Sequence, residues 1–447
     1  MNSFARGGFT ICSPGRPGKG RALVRVVVLV CAALASSSQA YTVLTHEQIV
    51  DVCWEHEIEP LLLARFPAAS AAQLRHAHAY AYGGCVIQDT GYYPFGNRLF
   101  SDLVHYVRSG DFVANLIRES ADLDEYAFAL GALAHYSSDN SGHPFINRAV
   151  ALGFPKLRAK YGDSVNYAED PKAHIRTEFG FDLVQIAKNR YTSERYRNFI
   201  GFEVSEPVLK RAFARTYGLE LEDVMGHFNL AVGTFRRAVS QAIPKMTRVA
   251  LILWRPELVR DHTNFSKRKF LYNLSRSEYE KEWGKDYRKP NLGERLLAVL
   301  VGSIPKIGPM KVLSFKAPTP QTEDLYMKSV NLTLDSYRNL LRQVRQANLV
   351  FPNLDCDTGH RVRAGEYVLS DETYEHLLRE LTRKGLDRVS PDLRADVLAF
   401  YAQPPPSPSK AKARKAWSQA IAQVDVLKVL AQEEPRSSKQ AFGTNGP

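Results

Sequence analysis

The stretch Tyr126–Pro144, YAFALGALAHYSSDNSGHP, constrains this chain more than any other part of its sequence. An apolar run passes directly into His135, Asp139 and His143, which follow one another at four-residue intervals. Residues four apart share one face of an α-helix, and neutral imidazoles and carboxylates are ligands that zinc accepts. The spacing therefore indicates either a metal site on a helix or a polar seam that arose by chance.

A second pair with the same spacing, His174 and Glu178, lies in the helical pattern PKAHIRTEFGFDLVQIAKNRY, with Asp182 as a spare acid on the same face. One such pair supplies two metal ligands from a rigid element, and two pairs on packed helices can supply four. A lone His-to-acid pair at this spacing is more often an ion pair on a helix surface. The second pair therefore leaves both interpretations open.

Helical periodicity dominates the chain after residue 41, and strand-like alternation is scarce. We therefore predict an all-α protein: a multi-helix bundle with a metal cluster in its core, followed by a C-terminal, mainly helical region. Start and stop signals predict several helix boundaries. A capping box at Thr45 and Gln48 opens the first of these helices, and Gly83-Gly84 ends a second. Asp122 with Glu125 opens a third, which Pro144 ends at His143, and a fourth is entered through Pro171.

The first 40 residues are typical of a secretory signal peptide. They contain five basic side chains and no acid, then the apolar run VVVLVCAALA, and end in the small-residue site Ser38-Gln39-Ala40. We therefore predict a secreted or periplasmic protein. An uncleaved membrane anchor is the alternative.

The composition changes near Asp261, where the segment KRKFLYNLSRSEYEKEWGKDYRKP begins. We predict a catalytic domain over residues 41–262, a helical region of unknown role over 263–402, and a linker, short helix and disordered tail over 403–447. The proline-rich QPPPSPSKAKARK marks that linker.

Positive charge is concentrated in the C-terminal half. Residues 41–264 carry 24 basic and 26 acidic side chains, whereas residues 265–447 carry 30 and 21. The slightly negative balance around the histidines argues against a nucleic-acid groove there. The basic half is compatible with transient contact to an anionic membrane surface or with a soluble basic domain. Its segment RLLAVLVGSIPKIGPMKVLSF is either an interfacial segment or a buried helix and turn.

Three cysteines follow the predicted signal peptide, namely Cys53, Cys85 and Cys356. They do not form a disulfide framework. A bridge between Cys53 and Cys85 and a pair of buried free thiols are both compatible with the sequence.

An ordered set of motifs resembles a known family. Thr-His is followed by Gly-Gly…Asp-x-x-Tyr-Tyr-Pro, His-Tyr-Val-Arg, Ala-Leu-Gly-Ala-Leu-Ala-His-Tyr-x-x-Asp…His-Pro and Ala-His-x-x-x-Glu. This order, over about residues 41–260, resembles the zinc-dependent phospholipase C family and the catalytic domain of glycosylphosphatidylinositol-specific phospholipase D. Fungal single-strand nucleases have a related site.

The resemblance implies three zinc ions in an α-helical bundle. Asp139 would bridge two of them, and the processed N-terminus, here Tyr41 where relatives commonly have Trp, would contribute its amine and carbonyl. The implied ligands are Asp89, His105, His135 and Asp139 for the first ion, His143, His174 and Glu178 for the second, and Tyr41, His46 and Asp139 for the third.

The implied activity is hydrolysis of a phospholipid or glycosylphosphatidylinositol-type phosphodiester by a metal-bound hydroxide. Asp89 would be the catalytic carboxylate that orients the water. Tyr92, Tyr93 and Phe95 beside it either line the substrate pocket or pack the loop. The alternatives are a zinc-dependent single-strand nuclease and a non-catalytic, metal-stabilised protein that binds membrane surfaces. The sequence does not indicate an oligomeric state.

Overall fold

The helical periodicity of the sequence produces a bundle of α-helices in the computed structural model of this protein. The structure describes residues 43–187, 202–237, 239, 316, 318–402 and 417–430. These residues contain no β-strand, only an isolated bridge between Leu354 and Arg361. The predicted all-α class is therefore confirmed.

The helices, in chain order, are α1 (Val43–Cys53), α2 (Glu59–Arg65), α3 (Ala71–Ile87), α4 (Arg98–Tyr106), α5 (Ser109–Glu119), α6 (Leu123–Gly153), α7 (Pro155–Tyr161), α8 (Pro171–Ala187), α9 (Glu206–Tyr217), α10 (Leu221–Val224), α11 (Phe228–Arg237), α12 (Pro320–Arg345), α13 (Val368–Lys384), α14 (Pro391–Tyr401) and, over residues 417–430, α15.

The long helix α6 packs against α3 on one side and α12 on another. Small residues allow the contact with α3, because a Cβ atom at Gly84 would lie 1.9 Å from the Phe128 carbonyl oxygen. Likewise, a Cβ atom at Gly131 would lie 2.0 Å from the Ala81 carbonyl oxygen. The glycines of both helices thus bring the two backbones into close contact beside the histidines.

The prediction that Gly83-Gly84 ends the second helix is wrong, because α3 continues to Ile87. Glycine lowers helix propensity, but here it is required by close packing rather than by a turn. A Cβ atom at Gly83 would lie 1.6 Å from the Glu203 carbonyl oxygen. The extra turn of α3 carries the chain directly to Asp89.

The prediction that Pro144 ends the third helix at His143 is also wrong, because α6 runs on to Gly153 with Pro144 inside it. Proline removes one helical hydrogen bond and disfavours the preceding turn. Burial of residues on both sides of Pro144, including Asp139 and Asn147, outweighs that cost. The helix therefore holds His143 one turn beyond Asp139, as the spacing requires.

The capping box at Thr45 does not form, since α1 already includes Val43 and Thr45 lies within it. The Thr45 hydroxyl instead donates a hydrogen bond to Asp182 Oδ1 at 2.8 Å. The start signals of later helices are confirmed. Asp122 Oδ1 accepts the Glu125 amide at 2.8 Å at the start of α6, and α8 begins at Pro171.

The described part of the predicted C-terminal region shares one hydrophobic core with the N-terminal helices. Tyr337 of α12 donates a hydrogen bond to the Leu130 carbonyl of α6 at 2.9 Å. Tyr326 stacks on Phe181 with ring centroids 4.7 Å apart. The domain boundary near residue 262 stays a prediction, because it lies outside the described residues.

Several sequence predictions concern residues outside the described part of the chain. These are the signal peptide, Tyr41 and the segment RLLAVLVGSIPKIGPMKVLSF. Among the helices that are described, none is both long and apolar enough to span a bilayer. Cys53 and Cys85 are buried free thiols, so the bridge that the sequence allowed does not form.

Candidate metal centre

Five elements deliver the predicted ligands to one place in the core. None of the eight side chains in the described residues is more than 3% exposed. They are His46 from α1, Asp89 from the short 3₁₀ turn after α3, His105 from α4, His135, Asp139 and His143 from α6, and His174 and Glu178 from α8.

Asp139 lies at the centre of the first group because its two oxygens face different histidines. Its Oδ2 lies 3.3 Å from His105 Nε2 and 3.2 Å from His135 Nε2. Its Oδ1 lies 3.6 Å from His46 Nε2. Asp89 completes the group, with its Oδ1 3.6 Å from His105 Nε2.

Backbone hydrogen bonds determine which nitrogen each imidazole presents to the cluster. His105 Nδ1 lies 2.7 Å from the Ser101 carbonyl oxygen, and His135 Nδ1 lies 2.9 Å from that of Cys85. A carbonyl oxygen can only accept, so each Nδ1 must donate. In the neutral form of each ring, Nε2 then carries a lone pair that faces the same carboxylate.

The two Nε2 atoms of His105 and His135 lie 3.1 Å apart. Two lone pairs at that distance, both beside an Asp139 oxygen, repel one another unless a positive charge lies between them. A proton on one ring or a metal ion supplies that charge. This arrangement matches zinc sites, in which the second nitrogen of each histidine is held by a carbonyl or carboxylate.

His46 extends the first group on the far side of Asp139. Its ring stacks on that of His135, with centroids 4.3 Å apart. His46, Asp89 and His135 present ligand atoms within 4.8 Å of one another, as do His105, His135 and Asp139. These two overlapping sets have the spacing that adjacent metal ions require.

A second group lies one turn further along α6. His174 Nδ1 lies 2.9 Å from Glu178 Oε1, and His143 Nε2 lies 3.9 Å from the same oxygen. His174 uses its other nitrogen, Nε2, to donate to Asn147 Oδ1 at 2.8 Å. The Nδ1 lone pair of His174 therefore faces a carboxylate, which again calls for a cation or a shared proton.

The protonation equilibria follow from burial and from the crowding of charge. Burial, together with the nearby His143, lowers the pKa of His174 to about 3. Burial raises the pKa of Glu178 well above its usual value. Burial opposes ionisation of Asp139, but His135 and His143 outweigh it and hold the Asp139 pKa well below its usual value.

His105 and Asp89 also depart from their usual pKa values. Burial disfavours the charged form of His105, but the nearby Asp139 carboxylate outweighs it and raises the His105 pKa to about 9. Burial raises the pKa of Asp89 to about 6. A proton therefore remains within the cluster at neutral pH, and a metal ion would replace it.

The donor set fits zinc. Within the described residues, no donor meets either oxygen of Asp139 or of Glu178 in regular hydrogen-bonding geometry. Buried carboxylates without donors are costly, and the neighbouring atoms are imidazole nitrogens, which zinc prefers. The carboxylates and imidazoles of the cluster are therefore better placed to bind metal ions than to form hydrogen bonds with one another.

The remaining predicted residues lie apart from this cluster. Asp182, the spare acid, bonds to Thr45 instead. Tyr92 and Tyr93 are buried, and the Tyr92 ring lies 5.8 Å from that of His105. Phe95 is 59% exposed and has a positive φ of 67°.

A carboxylate that the sequence interpretation does not select also reaches the centre. Asp357, from the loop between α12 and α13, places its Oδ1 3.2 Å from His143 Nδ1. Its sequence context, Asp355-Cys356-Asp357-Thr358-Gly359, is typical of an ordinary turn. Only the fold shows that this turn lies beside helix α6.

Comparison with protein families agrees with this geometry. Residues 45–226 match the family model described as zinc dependent phospholipase C. This segment is therefore similar to the zinc-dependent phospholipase C family, over about two fifths of the chain. Comparison with curated proteins and with solved structures gives no significant match.

The match supports the family resemblance that the ordered motifs indicated. The matched segment contains all eight described ligand candidates, from His46 to Glu178. It excludes Asp357 and the whole of α12 and α13.

Proposed function

We propose that this protein is an exported phosphodiesterase that binds three zinc ions and hydrolyses phospholipids or glycosylphosphatidylinositol-type lipids. The observation that carries the proposal is the position of Asp139, whose two oxygens face His46 on one side and the pair His105 and His135 on the other. A carboxylate in that position can bridge two ions.

The proposed ligand sets follow the two groups of the cluster. Asp139 belongs to the first and third sets, and Tyr41 would complete the third with its terminal amine and carbonyl once the signal peptide is removed. The sets are Asp89, His105, His135 and Asp139, then His143, His174 and Glu178, then Tyr41, His46 and Asp139.

Bound zinc would supply an activated water at neutral pH and neutralise charge that develops on the phosphoryl oxygens. Asp89 would be the carboxylate that orients that water for in-line attack. His105 and His135 keep their orientation through the Ser101 and Cys85 carbonyls.

Export through a signal peptide over residues 1–40 is part of the proposal. The charge balance of residues 41–264 favours a lipid substrate over a nucleic acid. Contact of the basic C-terminal half with an anionic membrane would bring the enzyme to that substrate.

The test is product analysis with the zinc-loaded protein in ¹⁸O-labelled water. Vesicles of phosphatidylcholine and of phosphatidylinositol, a glycosylphosphatidylinositol-linked protein and single-stranded DNA form the panel. We expect diacylglycerol and a labelled phosphorylated head group. Labelled phosphatidic acid would mean D-type cleavage, and labelled nucleotides would mean the nuclease alternative. A zinc-loaded protein that cleaves none of these contradicts the proposal.

A further inference from the structure

The loop that carries Asp357 is fixed against the two helices that hold the metal cluster. The Cys356 amide donates to the His105 carbonyl of α4 at 3.1 Å. Gly359, at a φ of 70°, approaches α6 so closely that a Cβ atom would lie 2.3 Å from the Asn140 carbonyl oxygen. That carbonyl is the one that Pro144 leaves without its helical donor. The irregular turn of α6 is thus where the loop docks.

Asp355 gives the loop its shape. Its Oδ1 accepts the backbone amides of Asp357 at 3.1 Å and Thr358 at 2.8 Å, as an Asp at the start of a turn commonly does. Asp355 has no contact with the histidines that the structure describes in the cluster. Its role is confined to the turn, and the turn directs Asp357 inward.

Both oxygens of the Asp357 carboxylate face polar side chains. Oδ1 lies 3.2 Å from His143 Nδ1. Oδ2 accepts the hydroxyl of Tyr106 at 3.1 Å and that of Tyr367. The residue is 3% exposed, so these partners replace the water that a carboxylate otherwise requires.

The backbone carbonyl of Asp357 acts on the other histidine of the second group. It accepts Asn147 Nδ2 at 2.8 Å, which fixes the orientation of that amide. Asn147 Oδ1 then accepts His174 Nε2–H at 2.8 Å. One residue of the loop is therefore connected to both imidazoles of the group, to His143 directly and to His174 through Asn147.

We infer that Asp357 is a positioning residue for the proposed second metal site. It fixes the orientation of His143 and His174, although it lies outside residues 45–226, which match the family model. A carboxylate on one nitrogen of a histidine leaves the other nitrogen for a metal and strengthens it as a ligand. The inference rests on the proposed function, because it takes His143, His174 and Glu178 as ligands. It implies that residues 45–226 do not complete this centre by themselves.

The test measures zinc affinity of full-length variants by competition with a chelator, together with zinc content by elemental analysis. We expect Asp357→Asn to weaken the binding of one zinc equivalent by about 10- to 100-fold, the usual effect of losing a partner of a metal ligand. Asp357→Ala should weaken it at least as much. Glu366→Gln is the control: it removes a carboxylate charge from the exposed side of the same loop, where Glu366 pairs with Arg363 at 3.5 Å, and it should leave every zinc affinity unchanged.

Circular dichroism establishes whether each variant folds. Should both Asp357 variants unfold, Tyr367→Phe removes one donor to Oδ2 while keeping its ring, and should still weaken the same zinc by a smaller factor. Wild-type affinities in all folded variants of Asp357 and Tyr367 overturn the inference. The variant His174→Ala separates the two claims. If it keeps the full zinc content, the proposed second ligand set fails. If it loses one equivalent while Asp357→Asn binds every zinc with wild-type affinity, only the positioning role fails.

Discussion

At the scale of single residues, Asp139 is the side chain on which the cluster depends. It is fully buried, and its oxygens face His46, His105 and His135. Glu178 is almost as inaccessible but faces only His143 and His174. Loss of the Asp139 charge therefore affects two proposed ions, whereas loss of the Glu178 charge affects one.

The first prediction compares Asp139→Asn with Glu178→Gln, two changes that keep shape and remove charge. We expect Asp139→Asn to lower zinc content by more than Glu178→Gln does. It should also reduce turnover by more than about 100-fold, because losing a direct ligand should exceed the effect of losing a group that only orients one. Elemental analysis and initial rates on zinc-loaded protein provide the comparison. Greater damage from Glu178→Gln would show that Asp139 is not the bridge.

The second prediction concerns Asp182, whose pKa burial raises to about 7, although the Thr45 hydroxyl and the Leu44 backbone oppose that rise. Because the folded pKa lies above the unfolded value, Asp182 costs no stability below about pH 4. It destabilises the fold as the pH rises toward and through 7. The total cost is on the order of 4 kcal/mol.

Asp182→Asn should remove that pH dependence. The free energy of unfolding of the variant minus that of the metal-free wild type should therefore increase by a few kcal/mol between about pH 4 and about pH 8. Urea titrations at several pH values measure it. A constant difference across this range would mean that Asp182 is ionised in the folded protein at all of these pH values.

At the scale of secondary structure, the third prediction tests the contact between α3 and α6. Gly131→Ala would place its Cβ atom 2.0 Å from the Ala81 carbonyl oxygen, so the two backbones must move apart. We expect a loss of about 1–3 kcal/mol in the free energy of unfolding, or more. Gly233→Ala in α11 is the control, because nothing lies within 4 Å of the position that its Cβ atom would take.

Gly233→Ala should instead stabilise the protein by up to about 1 kcal/mol, since alanine has the higher helix propensity. Urea midpoints of the two variants and the wild type are sufficient. If Gly131→Ala changes the free energy of unfolding by the same amount as Gly233→Ala, α3 and α6 do not approach each other as closely as described.

Local spacing predicts the helices and brings out five residues of the cluster, namely His135, Asp139, His143, His174 and Glu178, whereas His46, Asp89 and His105 are implied only by the family resemblance. The i, i+4 pairs His135–Asp139 and His174–Glu178 require only that their segments be helical. The predicted helix ends at Gly84 and Pro144 are wrong because local propensity favours a break there, whereas packing against distant segments sustains the helix. Those packing partners lie too far along the chain for any periodicity to show them.

At the scale of the whole molecule, the two halves of the chain share one hydrophobic core in the part that the structure describes. Tyr136 donates to the Pro352 carbonyl at 2.6 Å, and Tyr337 to the Leu130 carbonyl at 2.9 Å. Asp357 contacts His143 although the two lie in different halves of the sequence. Sequence spacing carries no information on such a contact, so it cannot predict the role of Asp357.

The fourth prediction follows from that shared core. A chain that ends at residue 262, the predicted domain boundary, loses α12 and exposes the buried face of α6. We expect it to lack a cooperative thermal unfolding transition and to bind a hydrophobic dye, because it cannot bury that apolar surface. Differential scanning calorimetry of the truncated and the full-length protein compares their unfolding transitions. A cooperative transition with full zinc content would show that the N-terminal segment is independent.

The central claim is that the buried cluster of histidines and carboxylates binds zinc and that this zinc is required for phosphodiester hydrolysis. The most direct measurement is the rate of phospholipid hydrolysis as zinc is added back, one equivalent at a time, to chelator-stripped protein. We expect no hydrolysis without zinc and a rate that reaches its plateau when the cluster is filled. A stripped, folded protein that hydrolyses phospholipid at the original rate would contradict the claim.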